Sequence, residues 1–214
     1  DFFLTGKTNF LRRKTRKMGN FALNYHMIKH MEQTIQYMNT FCKDKGIASI
    51  TPSSPFAVKR ICNKIDFTKD TVIVECGPGN GVFSFAILRQ MSPGSRLILI
   101  EANRDFVRYL DQRIPDPRVS VFHDNAINIQ SIVNQCGLNT ADYVIMGIPF
   151  SLSDHEQNHS IIANCKKVLK KGGIILVYQF SPRIKKYLRK HFDHIHPDLE
   201  VFNIPPLFIF EAFH

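Results

Sequence analysis

Residues 71–81, TVIVECGPGNG, run a short β-branched apolar stretch directly into three glycines set one residue apart. Thr71, Val72, Ile73 and Val74 have the density of a strand buried on both faces. Residues 82–91 then carry Val82, Phe83, Ala86, Ile87 and Met91 at helical spacing. Gly77, Gly79 and Gly81 therefore fall at a strand-to-helix turn, where the missing Cβ lets the backbone bend and approach a ligand. Their spacing bears on which ligand. A dinucleotide fingerprint, G-x-G-x-x-G, needs a glycine where this chain has Val82. Glu75 stands just before the loop, and Glu101 ends the next apolar run, residues 97–100, placed to take ribose hydroxyls. Carboxylates beside the loop suit a cationic cofactor better than a phosphorylated one.

The rest of the chain repeats the alternation of strand and helix. Residues 103–113 read as a helix, 119–122 as a third strand, and Asp124, Asn125 and Ala126 as the turn after it. In a doubly wound sheet, ligands gather at the carboxyl ends of strands, so Asp124 is placed to accept from an adenine amino group. Residues 141–146 form strand four, with Gly147, Ile148, Pro149 and Phe150 as its exit; the proline should stop the ladder and free backbone carbonyls for a substrate. A helix over 154–171 ends at Gly172 and Gly173, strand five follows over 174–180, and Ser181, Pro182 and Arg183 open another helix. Two apolar runs over 199–213, separated by Pro205 and Pro206, read as a closing antiparallel pair. The fold class is α/β, a Rossmann-like, seven-stranded, mostly parallel sheet with helices on both faces and an N-terminal helical extension.

The 214 residues, 44% apolar, fit one α/β domain plus a short extra segment. The net charge of +10 is unevenly placed, with 13 of the 28 Lys/Arg against 5 of the 18 Asp/Glu in the first 70 residues. That excess marks a partner surface. Residues 1–18 set Phe2, Phe3, Leu4, Phe10, Leu11 and Met18 beside Arg12, Arg13, Lys14, Arg16 and Lys17, which fits an interfacial segment on an anionic membrane and equally a nucleic-acid arm. Residues 21–42 read as an amphipathic helix with Glu32 as its only carboxylate. We divide the chain into a basic amphipathic helical segment, 1–66, and a cofactor-binding domain, 67–214. Near the end of the first, Ser54 caps a helix that Pro55 begins, with Thr51 and Ser53 beside it as candidate rim groups. The five cysteines form no C-x-x-C and suggest thiols in a reducing compartment. No apolar run approaches the ~20 residues that span a bilayer, and no signal-peptide pattern opens the chain, so a soluble or peripheral protein is expected. His155 and His159 match H-E-x-x-H, and His191, His194 and His196 lie at a basic helix end, but no further ligand is identifiable and no metal is assigned.

Taken together, ITPSSPF at residues 50–56, VECGPGNGVFS at 74–84, IEANRDF at 100–106, MGIPFS at 146–151, QFSPR at 179–183 and NIPP at 203–206 resemble the bacterial phospholipid N-methyltransferases. The core is similar to that of the rRNA adenine dimethylases, and the E-x-G-x-G-x-G loop with its following acid looks like motif I of class I methyltransferases. The likeness covers nearly the whole chain after about residue 47. It implies S-adenosyl-L-methionine as cofactor and S-adenosylhomocysteine as product, held by Glu75, Gly77, Pro78, Gly79, Gly81, Glu101, Ala102, Asp124, Asn125, Ala126, Gly147 and Ile148. It implies a phospholipid substrate, phosphatidylethanolamine methylated towards phosphatidylcholine, and a peripheral place at the cytoplasmic face of the inner membrane, with no obligate protein partner. Methyltransferases of planar amines carry Asn or Asp where this chain has Gly147, which disfavours a nucleobase and favours an alkyl amine. Thr51, Ser53, Pro149, Phe150 and Arg183 are the candidate substrate contacts, Arg183 for the phosphate. Tyr25, Ser54 and Tyr178, with His155, are the candidate catalytic groups by position. Two alternatives stand beside this reading: a methyltransferase of RNA, protein or a small amine, and a non-catalytic nucleic-acid-binding protein of the same fold.

Overall fold

The computed structural model describes residues 53–150, 154–203 and 205–214. Tyr25, Thr51 and the N-terminal helix of residues 21–42 lie outside the described residues. The described chain builds a seven-stranded sheet of order β3-β2-β1-β4-β5-β7-β6. Its strands are β1 (Val72–Cys76), β2 (Arg96–Glu101), β3 (Val119–His123), β4 (Ala141–Met146), β5 (Leu169–Gln179), β6 (His194–Glu200) and β7 (Leu207–Phe213). The first five run parallel to one another, while β7 is inserted antiparallel between β5 and β6. This is the Rossmann-like class I methyltransferase fold. The central strands VIVEC, RLILIE and ADYVIM are almost continuously apolar because both faces are covered.

One face carries α1 (Pro55–Cys62), α2 (Val82–Leu88) and α3 (Arg104–Arg113); Ile61, Phe83, Ile87 and Leu110 pack there on Ile73, Leu99, Ile145 and Leu176. The other carries α4 (Ile129–Gln135), α5 (His155–Val168) and α6 (Lys185–His191), with Ile132, Ile161, Ile162 and Leu188 on Val74, Val144 and Val177. The helices start where short polar side chains accept from the first turn. Asn103 takes Asp105 N–H at 2.9 Å and Asp154 takes Gln157 N–H at 2.7 Å.

Three sequence boundaries move. Helix α1, read as part of the N-terminal segment, buries Ile61 and Cys62 in the same core as β1, so the sheet-bearing unit begins at Ser53. Helix α5 stops at Val168, and β5 already starts at Leu169, which pairs with Ala141 before the register shifts to Tyr143 and Ile174. The glycines expected to end the helix lie instead within the strand, Gly172 at φ +77°, where the chain bulges. Strand β6 starts at His194, not near Leu199. HIHPDLE is too polar to announce a strand, and among the described residues it pairs on one side only, against β7, as an edge strand that tolerates Pro197.

Candidate active site

The strand order turns between β1 and β4, and the crevice at their carboxyl ends is where such sheets bind ligands. The hydrogen-bond ladder runs to its lip. Gly77 N–H donates to the Ile100 carbonyl and Gly147 N–H to the Cys76 carbonyl, both at 2.9 Å. Gly77, Gly79 and Gly81 have φ of +74°, +55° and +77°, a region other residues enter only with strain. A Cβ at Gly81 would also lie 2.7 Å from Leu110 Cδ2. The Pro78 carbonyl accepts from Gly81 N–H at 2.9 Å and tightens the turn.

Two acids flank this loop. Glu101 Oε2 accepts from Gly79 N–H at 3.0 Å and its Oε1 from Asn103 N–H at 2.8 Å, so the carboxylate orients the loop while keeping free lone pairs. Burial raises its pKa and the backbone donors hold it back. Glu75 is wholly buried on the face of β1 that looks at α2; its Oε2 accepts the Ser84 hydroxyl at 2.5 Å. Its Oε1 has no hydrogen-bond partner among the described residues. Burial pushes the carboxyl up to about 7 against the Ser84 bond, and Glu101 adds to the rise. A buried carboxylate oxygen without a donor is costly, and a cationic ligand relieves that cost. Bare loop, orphaned oxygen and second acid fit the positively charged cofactor expected from the sequence.

Further along the lip, Asp124 N–H donates to the Glu101 carbonyl at 3.1 Å. Asp124 Oδ1 accepts from Asn125 N–H at 2.7 Å and Asn128 Nδ2 at 2.8 Å, Asn125 Oδ1 accepts from Ile127 N–H, and Ala126 is buried. The Ala102 carbonyl lies 3.1 Å from His123 Nε2.

The strongest spatial relation is between Gly147 and Tyr178. A Cβ on Gly147 would overlap Tyr178 Oη, with Tyr178 Cζ at 2.6 Å and the Gly77 carbonyl at 2.9 Å. The phenol tip thus fills the space in which a side chain at position 147 would start. The Phe83 ring packs on Tyr178 with centroids 4.2 Å apart. Burial holds the phenol well above its usual pKa, and the charges of Glu75 and Glu101 add to that.

Other candidate residues take different places. Phe150 is buried in the core cluster that holds Ile161 and Ile162 of α5, just after the exposed Pro149. Two of the carbonyls expected to be free at this exit, those of Ile148 and Phe150, are engaged. Gln179 Nε2 donates to the Ile148 carbonyl at 2.6 Å, and Asn158 Nδ2 to the Phe150 carbonyl at 3.0 Å. The Ser54 hydroxyl accepts from Ala57 N–H at 3.2 Å as the cap of α1, with Ser53 half-buried beside it. Arg183 sits exposed in a 3-10 turn, Pro182–Ile184, just past β5. His155 and His159 lie on α5 against Tyr187 of α6, at ring distances of 5.1 and 4.8 Å, with Lys190 Nζ 3.4 Å from His159 Nε2. A lysine in contact with that imidazole opposes cation binding. Sequence reasoning missed Ser84, Gln179 and Asn158. Ser84 alone left a trace, as a polar residue within the apolar face of α2.

A family model described as ribosomal RNA adenine dimethylase matches residues 53–166, more than half of the chain. The ornithine lipid N-methyltransferase of Singulisphaera acidiphila is 27% identical over 179 residues, 82% of this chain and 93% of that protein. Ribosomal RNA small subunit methyltransferase H of Clostridium botulinum is 29% identical over 90 residues, 42% of this chain and 29% of that protein. Among solved structures, precorrin-6y C5,15-methyltransferase from Geobacter metallireducens aligns with TM-score 0.62 at 15% identity, covering 78% of this chain and 91% of that one. N-methyltransferase NodS from Bradyrhizobium japonicum aligns with TM-score 0.59 at 13% identity, covering 75% and 97%. These two likenesses concern the fold.

Proposed function

We propose, from the premise that the chain belongs to the ribosomal RNA adenine dimethylase family and is an S-adenosyl-L-methionine-dependent methyltransferase, that it methylates the primary amine of a membrane-lipid head group. Phosphatidylethanolamine is the substrate we put forward. The observation that carries the reading is Gly147 against Tyr178. An Asn or Asp at position 147 would present an acceptor to a planar amino group; here the phenol tip takes that space, and the Ile148 carbonyl is committed to Gln179. With the Ile148 carbonyl taken by Gln179 and by Phe150 N–H, a planar amine that needs two acceptors finds only the Tyr178 oxygen, whereas a flexible alkyl amine needs one hydrogen bond and room. The relative that spans most of both chains, named for ornithine lipid, supports the lipid class.

When bound, S-adenosyl-L-methionine supplies an electrophilic methyl group on a sulfonium. The protein's part is to hold that cation and present a neutral amine. Glu75 and Glu101 provide the negative charge beside the bare loop. An alkyl ammonium has a pKa of about 10 and must lose a proton before it attacks. Tyr178, kept protonated by burial, is unsuited as that base; its oxygen accepts one amine N–H and leaves the nitrogen lone pair for the methyl. Phe83, packed at a tilt on the Tyr178 ring, shields the reacting nitrogen from water. Arg183, exposed past β5, contacts the head-group phosphate. On this reading the protein works as a peripheral enzyme at the cytoplasmic face of the membrane. No helix among the described residues is long and apolar enough to cross a bilayer.

The family's description favours a second reading, an RNA adenine as acceptor. The test is the full chain incubated with labelled S-adenosyl-L-methionine and either phosphatidylethanolamine vesicles, ornithine-lipid vesicles or ribosomal RNA. Label entering the organic phase from phosphatidylethanolamine is the expected result. Label confined to ornithine lipid corrects the head group, and label confined to RNA overturns the proposal.

A further inference from the structure

We infer that an aromatic rim on the catalytic edge, made by Phe56 and Phe202 with Val201 and Leu199, docks on an anionic bilayer and holds the crevice mouth at the head groups. The inference rests on the reading of the substrate as a membrane lipid. Phe202 is 68% and Phe56 55% exposed, their ring centroids are 5.3 Å apart, and Val201 and Leu199 flank them in the open. Exposed large apolar side chains gathered in one place mark an interaction site.

The sheet register fixes where this rim lies. Gln179 at the end of β5 pairs with Phe208, and Glu200 pairs with Leu207, so the turn joining β6 to β7 stands at the carboxyl end of β5. That is the edge bearing the loop after β1 and the exit of β4. Strands lie ~4.8 Å apart, which puts the turn roughly 10–15 Å from Gly147 along the lip. Phe180, 47% exposed just past β5, lies between them. The rim is also built firmly. Asn203, wholly buried, accepts Ser54 N–H on Oδ1 at 2.8 Å and donates from Nδ2 to the Pro205 carbonyl at 2.7 Å, which ties the first turn of α1 to the turn before β7.

Charge selects the occupant. The two acids beside the rim share one cation, Arg60, which pairs with Asp198 at 2.7 Å and with Glu200 at 2.6 Å, so this trio keeps a single negative charge against two further cations. Lys59 and Arg183 are exposed and have no ion-pair partner among the described residues. Aromatics with unopposed cations match anionic lipid head groups. Four side chains offer far less than the roughly 800 Å² per partner of a stable dimer, whereas interfacial insertion needs only a few aromatic anchors.

The test uses the full chain and vesicles of phosphatidylethanolamine with phosphatidylglycerol, read by co-sedimentation. The double variant Phe56→Ser, Phe202→Ser should partition about tenfold more weakly than the parent, and Phe202→Trp should partition at least as well as the parent. Methylation of a short-chain phosphatidylethanolamine kept below its micellar concentration should be unchanged in the double variant, while methylation of vesicles falls with partitioning. Parental partitioning of the serine variant overturns the inference. So does a dimer of the parent that the variant abolishes without loss of vesicle binding. Because partitioning needs no turnover, vesicle binding through the rim without lipid methylation refutes the proposed substrate alone.

Discussion

Replacing Glu75 by Gln isolates the charge that the site keeps without a cation. The carboxyl is wholly buried, and its pKa rises from 4.5 to about 7. A group whose folded pKa is raised binds more protons folded than unfolded, so stability falls as pH climbs above about 4.5 and the loss is complete above about 7. The shift corresponds to about 3 kcal/mol, most of it arising between pH 5 and pH 8. Glu75→Gln keeps the shape and a partner for Ser84 but does not titrate. Any change in that hydrogen bond shifts stability equally at every pH, so the diagnostic quantity is the growth of the melting-temperature gap over the parent. At about 2–4 °C per kcal/mol for a protein of this size, the gap should widen by about 5–10 °C from pH 5 to pH 8. Thermal unfolding without cofactor, followed by circular dichroism at pH 5, 6.5 and 8, reads it. The same group should make affinity for S-adenosyl-L-methionine in the parent rise about tenfold from pH 6 to pH 7.5, because a cation favours ionised Glu75. Calorimetric titration of Glu75→Gln should show weaker binding without that slope. A melting gap constant across the pH range would refute the reasoning.

Gly147→Ala should destabilise by about 1–3 kcal/mol through overlap with the Tyr178 ring tip and abolish methyl transfer; adding Tyr178→Leu should restore part of the stability and none of the activity, a coupling that denaturant unfolding of the double-mutant cycle measures. Gly79→Ala meets no atom within 4 Å, so its cost is backbone strain alone at φ +55°, about 1–2 kcal/mol. It should leave the fold intact and weaken cofactor binding by calorimetry. Asn203→Ala leaves Ser54 N–H without its acceptor and should lower unfolding free energy by about 1–3 kcal/mol. Chemical denaturation checks this, and the loosened rim should also bind vesicles less well.

The sequence by itself determined the strand, the glycine loop, the flanking acids and the alternating order of the sheet. Each depends on local rules: β-branched runs make buried strands, glycine alone enters φ near +75° without strain, and proline with serine starts a helix. The polar edge strand β6 escaped those rules, since its pairing with β7 and not its composition makes it a strand. What only the tertiary structure decided is which groups meet. Phe150 turned out to be core, Ser54 is bound to Asn203 from 149 residues away, and Gly147 of β4's exit is small because Tyr178 of β5 stands against it. Such meetings follow from strand register and the inward or outward turn of each chain exit, quantities that cross-strand hydrogen bonds and core packing fix together and that no single stretch of residues encodes.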